Sequence, residues 1–284
     1  MANMNNGKMK AIITAGGKGS RLYPISRAYP KELIPFCGIP VIEHSINILR
    51  DNGIKDIMVL AGTKKGALQD YLGNGHIFGV NISYIIQEYP KGLGHAVQIL
   101  EPYIDNDNFI LVLGDNIYVG DIKLDKMIKS HIQHNAISTI LIEHLQEPEK
   151  YGVVKFHRLD NECNNIIDLY EKPKEQDVKN KFKTNSGWYA IAGIYIFNRN
   201  IFNFLKETRK GFNDEIQLTD AIKLSLEKGN KILGCILNGR RIDVGTWDYL
   251  IEEKRIYDSL DNEKLKNIIN NRNVMMIKIN GNID

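Results

Sequence analysis

Lys10-Ala11-Ile12-Ile13-Thr14-Ala15-Gly16-Gly17-Lys18-Gly19-Ser20-Arg21 decides how this chain is read. Residues 10–14 form a short apolar run of the kind that makes a buried strand, and it passes directly into a loop containing Gly16, Gly17 and Gly19. Glycines let backbone N–H groups approach a polyanion closely. Arg21, and Lys31 behind Pro30, supply the permanent charge that phosphate oxygens need. The stretch predicts a strand whose carboxyl end opens on a triphosphate cradle.

Two other glycine loops are excluded. A dinucleotide fingerprint opens a helix at once, but Leu22 stands at the third glycine position and Pro24, Pro30 and Pro35 forbid a continuous helix. A P-loop needs Gly-Lys-Ser/Thr after a four-residue gap, and the chain has none.

Working outward, strand-like runs at 10–14, 56–61, 80–86 and 109–113 alternate with helix-like runs at 41–51, 64–72 and 93–100. This β-α-β-α-β-α-β order predicts an α/β fold with a mostly parallel central sheet flanked by helices and ligands beyond the carboxyl ends of its strands. Further strands are expected at 137–143, 152–156, 166–171, 190–197 and 231–237, and helices at 201–207, 217–228 and 246–259. The charged, turn-rich stretch 172–185 is expected to form a mobile lid or surface loop. Residues 8–260 are read as one catalytic domain. Residues 261–284 are read as a tail rich in Asn and Lys without chemistry, its apolar 274–277 docking on a neighbouring surface.

The 284 residues are 43% hydrophobic, enough for a substantial core, and the net charge of +3 comes without a Lys/Arg block of the kind that marks a nucleic-acid face. Cys37, Cys163 and Cys235 are odd in number and far apart, so they read as small buried hydrophobes rather than a disulfide framework or zinc site. No apolar run approaches a membrane span, and a cytoplasmic protein is expected.

Asp115 and Asp243 each follow an apolar strand. Alone, either reads best as a turn or cap residue, but beside a phosphate loop the pair suits Mg²⁺, which takes one or two carboxylates plus waters and phosphate oxygens. In Glu171-Lys172-Pro173 the proline fixes the exit direction, so that a carboxylate can be presented to hydroxyls and an ammonium to a phosphate, although by itself the pair reads best as a surface ion pair. Gln87 offers a donor and an acceptor to a pyrimidine edge, and Gly92 permits close approach. His95 falls within a helix-like run and reads mainly as a packed or capping histidine, and His131 and His134 lie on a polar helix without a metal motif. No Ser, Cys or His has a partner for covalent catalysis, which fits phosphoryl or nucleotidyl transfer.

Six segments together resemble the sugar-1-phosphate nucleotidylyltransferases: Ala15-Gly16-Gly17-x-Gly19-Ser20-Arg21, Pro30-Lys31, Leu113-Gly114-Asp115-Asn116, Tyr151-Gly152-Val153-Val154, Glu171-Lys172-Pro173 and Asp243-Val244-Gly245-Thr246. The resemblance spans about residues 10–257 and implies a Rossmann-like, glycosyltransferase-A-like nucleotidyltransferase fold with extra strands for the sugar site. It implies nucleotide binding by Gly16, Gly17, Gly19, Gln87, Gly92 and Asp115, and catalysis by Arg21 and Lys31. It further implies sugar-phosphate binding by Gly152, Glu171 and Lys172, with Asp115 and Asp243 as Mg²⁺ ligands. The implied substrates are an NTP, dTTP ahead of UTP, and glucose-1-phosphate, in a homo-oligomer that is commonly a tetramer. Some segments are similar to the thymidylyl branch, whereas Pro30-Lys31-Glu32-Leu33 and Gly92-Leu93-Gly94-His95-Ala96-Val97 are similar to the uridylyl branch. Ser20 stands where the family more usually has threonine, and Thr14 where it has an apolar residue. A non-catalytic nucleotide-sugar sensor is the alternative from another class, and an NAD(P) oxidoreductase is a weaker one.

Overall fold

Strand β1 (Lys10–Ala15) sends Ala11 and Ile13 into one apolar layer and Ile12 into another, so it is buried on both faces. The same alternation recurs at Ile110 and Val112 against Phe109 and Leu111. A strand of this kind reads as a continuous hydrophobic run.

The computed structural model describes residues 9–105, 108–160 and 162–259. After β1 the strands are β2 (Pro35–Phe36), β3 (Ile39–Pro40), β4 (Asp56–Gly62), β5 (Asn81–Gln87), β6 (Asn108–Leu113), β7 (Asn116–Asp121), β8 (Ser138–Leu145), β9 (Gly152–Arg158), β10 (Asn164–Glu171), β11 (Trp188–Asn198), β12 (Ile232–Ile236) and β13 (Asn238–Asp243). The helices are α1 (Ile25–Ala28), α2 (Val41–Asp51), α3 (Gly66–Leu72), α4 (Leu93–Gln98), α5 (Leu124–Gln133), α6 (Gln176–Phe182), α7 (Ile201–Glu207), α8 (Leu218–Glu227) and α9 (Tyr249–Ser259).

Nine strands form one sheet in the order β5-β4-β1-β6-β11-β8-β12-β10-β9. Strands β5, β4, β1 and β6 are mutually parallel, as the alternation predicts. From β11 onward the sheet is mixed, because β11 runs antiparallel to both β6 and β8, and β10 runs antiparallel to β12 and β9. Apolar residues of α2, α3 and α5 cover one face, and those of α4, α7 and α8 cover the other. Helix α2 ends where the sequence places its stop. Gly53 takes a positive φ, its N–H bonds to the Arg50 carbonyl, and the Ile54 N–H bonds to the Leu49 carbonyl.

Two expectations are corrected and one element is added. The stretch 172–185 contains α6, anchored by buried Phe182 and by the Trp188 indole N–H bonded to the Lys179 carbonyl at 2.9 Å, so it is not merely a lid or loop. Cys163 and Cys235 are joined by a disulfide, beside the Asn164–Gly234 register pair of β10 and β12, so sequence separation concealed adjacency. The ribbon of β7 and β13 is an additional element, which local pattern conceals because its outer residues, 119–121 and 238–240, are exposed and include two glycines. The tail at 261–284, with the docking expected of 274–277, lies outside the described residues. Among the described residues no helix is long and apolar enough to cross a membrane.

Phe109 is fully buried, its ring 5.4 Å from that of Phe202 and 5.6 Å from that of Phe197. Phe109→Ala is predicted to cost about 3–5 kcal/mol in urea unfolding, whereas Tyr103→Ala, at an exposed position, should change stability by less than about 0.5 kcal/mol. His131 is buried between Thr139 Oγ1 at 2.9 Å and Asn108 Oδ1 at 3.1 Å, and burial pushes its imidazole down to about 4. A base depressed in the folded state contributes stability above its unfolded pKa, near 6.5, and loses it as pH falls toward the folded value. Urea midpoints of His131→Gln measured from pH 7 to pH 4.5 should therefore fall less steeply than those of the wild type.

Candidate functional site

The parallel register of β1 with β6 brings the loop after Ala15 beside Asp115. Gly19 closes the loop in the left-handed region, with its carbonyl accepting from Ser26 Oγ at 2.6 Å and from the Leu22 N–H at 2.8 Å. A Cβ on Gly16 would lie 2.7 Å from Gln87 Oε1, and one on Gly17 would lie 3.3 Å from Lys31 Nζ. The glycines thus bring Gln87 and Lys31 against the loop itself.

Lys31 is held by Pro30 on a short turn, and its ammonium pairs with the Asp115 carboxylate. Burial disfavours the charge on Lys31, but Asp115, then Glu32 and Asp243, outweigh it and raise the pKa above the ordinary lysine value. Burial likewise works against the Asp115 carboxylate, and Lys31 with Arg241 overcomes it and holds the group below the usual range. The pair stays ionised at neutral pH. Next to it, Glu32 is 1% exposed and pairs with Lys65; burial nevertheless raises its pKa.

The ribbon register sets Asn116 opposite Asp243, and the Val244 N–H donates to the Asp115 carbonyl at 3.0 Å, so both aspartates converge at its base. Asp243 Oδ1 accepts from the Gly245 N–H at 2.7 Å, and its other oxygen lies 3.9 Å from the Arg21 guanidinium. The side chain of Arg21 is 59% exposed while that of Lys31 is 11% exposed, so one cation reaches out from the cleft and the other is built into it.

A cavity of about 490 Å³ follows the glycine loop past Lys31 and Gln87 to Gly92. The Gln87 amide N–H donates to His95 Nδ1 at 3.1 Å, and burial, with Lys91, lowers the pKa of His95, which favours the neutral ring that can accept. Gly92 sits at φ 98°, where a Cβ would meet the Ile216 carbonyl at 2.6 Å. The two segments are laced by Gly94 N–H to the Ile216 carbonyl at 2.8 Å and Ile216 N–H to the Lys91 carbonyl at 3.0 Å.

A second cavity, of about 430 Å³, holds Gly152, Glu171, Lys172 and Asp243, and it shares Arg21, Asp115 and Glu215 with the first. Glu171 pairs in register with Gly152, accepts from Thr219 Oγ1 at 2.6 Å, and lies 3.1 Å from Lys172 Nζ. Lys172 turns at φ 45°, with its N–H on the Tyr151 carbonyl at 3.1 Å. Every site residue expected from the sequence thus lines one or both cavities.

The sequence reading assigned no role to Thr219, Glu32, Lys65 or Arg241, and gave His95 only a secondary place. Thr219 was concealed inside a helical run, and the others act through partners distant in sequence. Among the described residues no group of three or more His, Cys, Asp or Glu converges, so a cation here would use Asp115, Asp243 and oxygens from bound phosphates and water. Hard carboxylate oxygens fit Mg²⁺.

A family model described as nucleotidyl transferase matches residues 10–259. A glucose-1-phosphate thymidylyltransferase of Neisseria meningitidis is 33% identical over 256 residues, covering 89% of this chain and 84% of its own. The structure of a UDP-glucose pyrophosphorylase complexed with UDP-glucose superposes with a TM-score of 0.77 at 29% identity, covering 88% of this chain and 98% of that one.

Gly92→Ala is predicted to cost about 1–3 kcal/mol in urea unfolding through its positive φ, and to weaken nucleotide binding measured by calorimetry. Gly66→Ala has open space around the new methyl and no positive φ, and should be neutral or stabilising by up to about 1 kcal/mol.

Proposed function

The chain belongs to the nucleotidyl transferase family, and from that premise we propose that it joins dTTP to glucose-1-phosphate, yielding dTDP-glucose and pyrophosphate. Sugar-1-phosphate nucleotidyltransfer is the activity that the family membership carries. The observation that supports transfer between two bound substrates is the meeting of the two cavities at Arg21 and Asp115. A nucleotide in one and a sugar phosphate in the other come together where opposed charges already converge.

In this reading an oxygen of the acceptor phosphate attacks the α-phosphorus in line with the pyrophosphate, and one P–O bond forms as the other breaks. Gly16, Gly17 and Gly19 offer backbone N–H groups to the triphosphate, and Lys31 and Arg21 neutralise it. Lys172 holds the acceptor phosphate, while Glu171 and the Gly152 backbone meet its hydroxyls. Asp115 and Asp243 would hold Mg²⁺, which supplies charge neutralisation on the phosphates when bound. Proximity and charge provide the rate, without a protein nucleophile.

Gln87 gives one amide hydrogen to His95 and keeps the other, with Oε1, for a ring edge. That pair suits an imide, whose N–H donates and whose carbonyls accept, and thymine and uracil share this edge. They differ by one methyl, worth about 1 kcal/mol in an apolar pocket. UTP is therefore the second reading, favoured by the similarity to the UDP-glucose pyrophosphorylase.

Pyrophosphate release with Mg²⁺, crossing five nucleoside triphosphates against glucose-, galactose- and N-acetylglucosamine-1-phosphate, tests the proposal. Turnover should be confined to dTTP, or UTP, with glucose-1-phosphate, and be abolished in Asp115→Asn; silence throughout with retained NDP-sugar binding would favour a sensor. Arg21→Ala should lower kcat by about 10²–10³-fold, and a change in KM alone would refute its role on the leaving pyrophosphate.

A further inference from the structure

We infer that Arg241, clamped by Glu143, is a positioning residue for the acceptor sugar phosphate. Arg241 lies on β13 two residues before Asp243, and Glu143 lies on β8 of the main sheet. Their side chains are 6% and 10% exposed. Arg241 Nε and the guanidinium both donate to Glu143 Oε1 at 2.6 Å, and the backbone N–H of Arg241 lies 3.2 Å from Oε2. One carboxylate thus fixes the side chain and the strand together, fastening the ribbon to the sheet.

The guanidinium then touches the supports of the acceptor cavity. Its carbon stands 4.2 Å from the centre of the Tyr151 ring. Tyr151 precedes Gly152, and its carbonyl holds the Lys172 N–H. On another side a guanidinium N–H faces Asn116 Oδ1 at 3.5 Å, next to Asp115. Arg241 therefore braces the segments that carry Asp243, Gly152 with Lys172, and Asp115. It lines the acceptor cavity and is absent from the lining of the nucleotide cavity.

A planar fork can bond a carboxylate and stack on a ring at once, which a lysine ammonium cannot do. Burying such a pair costs desolvation that a hydrophobic pair of equal volume avoids, so stability alone does not account for it. What the pair does supply is a fixed angle between ribbon and sheet, and with it the spacing of the acceptor groups.

The inference rests on the transferase reading, and its test separates the two. Wild type, Arg241→Met, Glu143→Leu and the double variant Arg241→Met/Glu143→Leu are compared by urea unfolding, by calorimetry of glucose-1-phosphate and of the NTP separately, and by steady-state kinetics. Arg241→Met should raise the acceptor KM and Kd by about tenfold or more, with a clearly smaller loss of NTP affinity, because Asp115 is shared by both cavities. The double variant, with no charge left unpaired, should recover the unfolding midpoint but not acceptor affinity. Arg241→Lys should fail to restore acceptor affinity as well. Recovery of acceptor KM and Kd in the double variant, or an equal loss of NTP affinity in Arg241→Met, would overturn the inference. If wild type turns over no substrate, the transferase reading fails, while the two calorimetric titrations still decide whether Arg241 acts on the acceptor side.

Discussion

The parallel pairing of β1 with β6 is the constraint from which the site follows. Thr14 stands beside Leu113, and one residue later the Gly114 N–H donates to the Thr14 carbonyl at 3.0 Å. A Cβ on Gly114 would come within 2.8 Å of that carbonyl, so only glycine lets the strands stay this close at their carboxyl ends. The glycine loop and Asp115 therefore emerge side by side. A shift in this register would separate the glycines from the aspartate.

The convergence there is electrostatically demanding. Lys31 and Asp115 form one pair, and Lys65 and Glu32 form a second next to it, all with little solvent. Removing one partner of such a pair leaves an uncompensated buried charge, typically at about 3–5 kcal/mol. The proline-flanked turn at Lys31–Leu33 carries a member of each pair, so it is fixed from two sides. An ammonium fixed in this way is preorganised toward any anion that enters the cleft.

Much of this was legible from the residues. The parallel half declares itself through apolar runs such as Ile12-Ile13 and Ile110-Leu111-Val112, because strands buried on both faces cannot afford polar positions. The glycine loop and strand-end aspartates were legible because their chemistry requires those residue types. The ribbon was not: in Asn238-Gly239-Arg240-Arg241-Ile242-Asp243 its polarity hides the strand, and only Ile242 is a deeply buried hydrophobe. Nor could local pattern reveal the Cys163–Cys235 bridge, the Thr219–Glu171 bond or the Arg241–Glu143 clamp, since each joins distant stretches of chain. Local rules read elements; long-range pairing decides which side chains support the site.

The sheet has a seam at β6 and β11, where parallel strands give way to antiparallel ones. On one side lie the strands that carry the glycine loop and Gln87, and on the other those that carry Gly152, Glu171 and Lys172. Both apolar layers run unbroken across this seam, and Arg21, Asp115 and Glu215 line the cavities on either side of it, so a core substitution in one half is felt in the other. The change of strand direction is therefore a joint rather than a boundary, and the two halves of the cleft are mechanically one body.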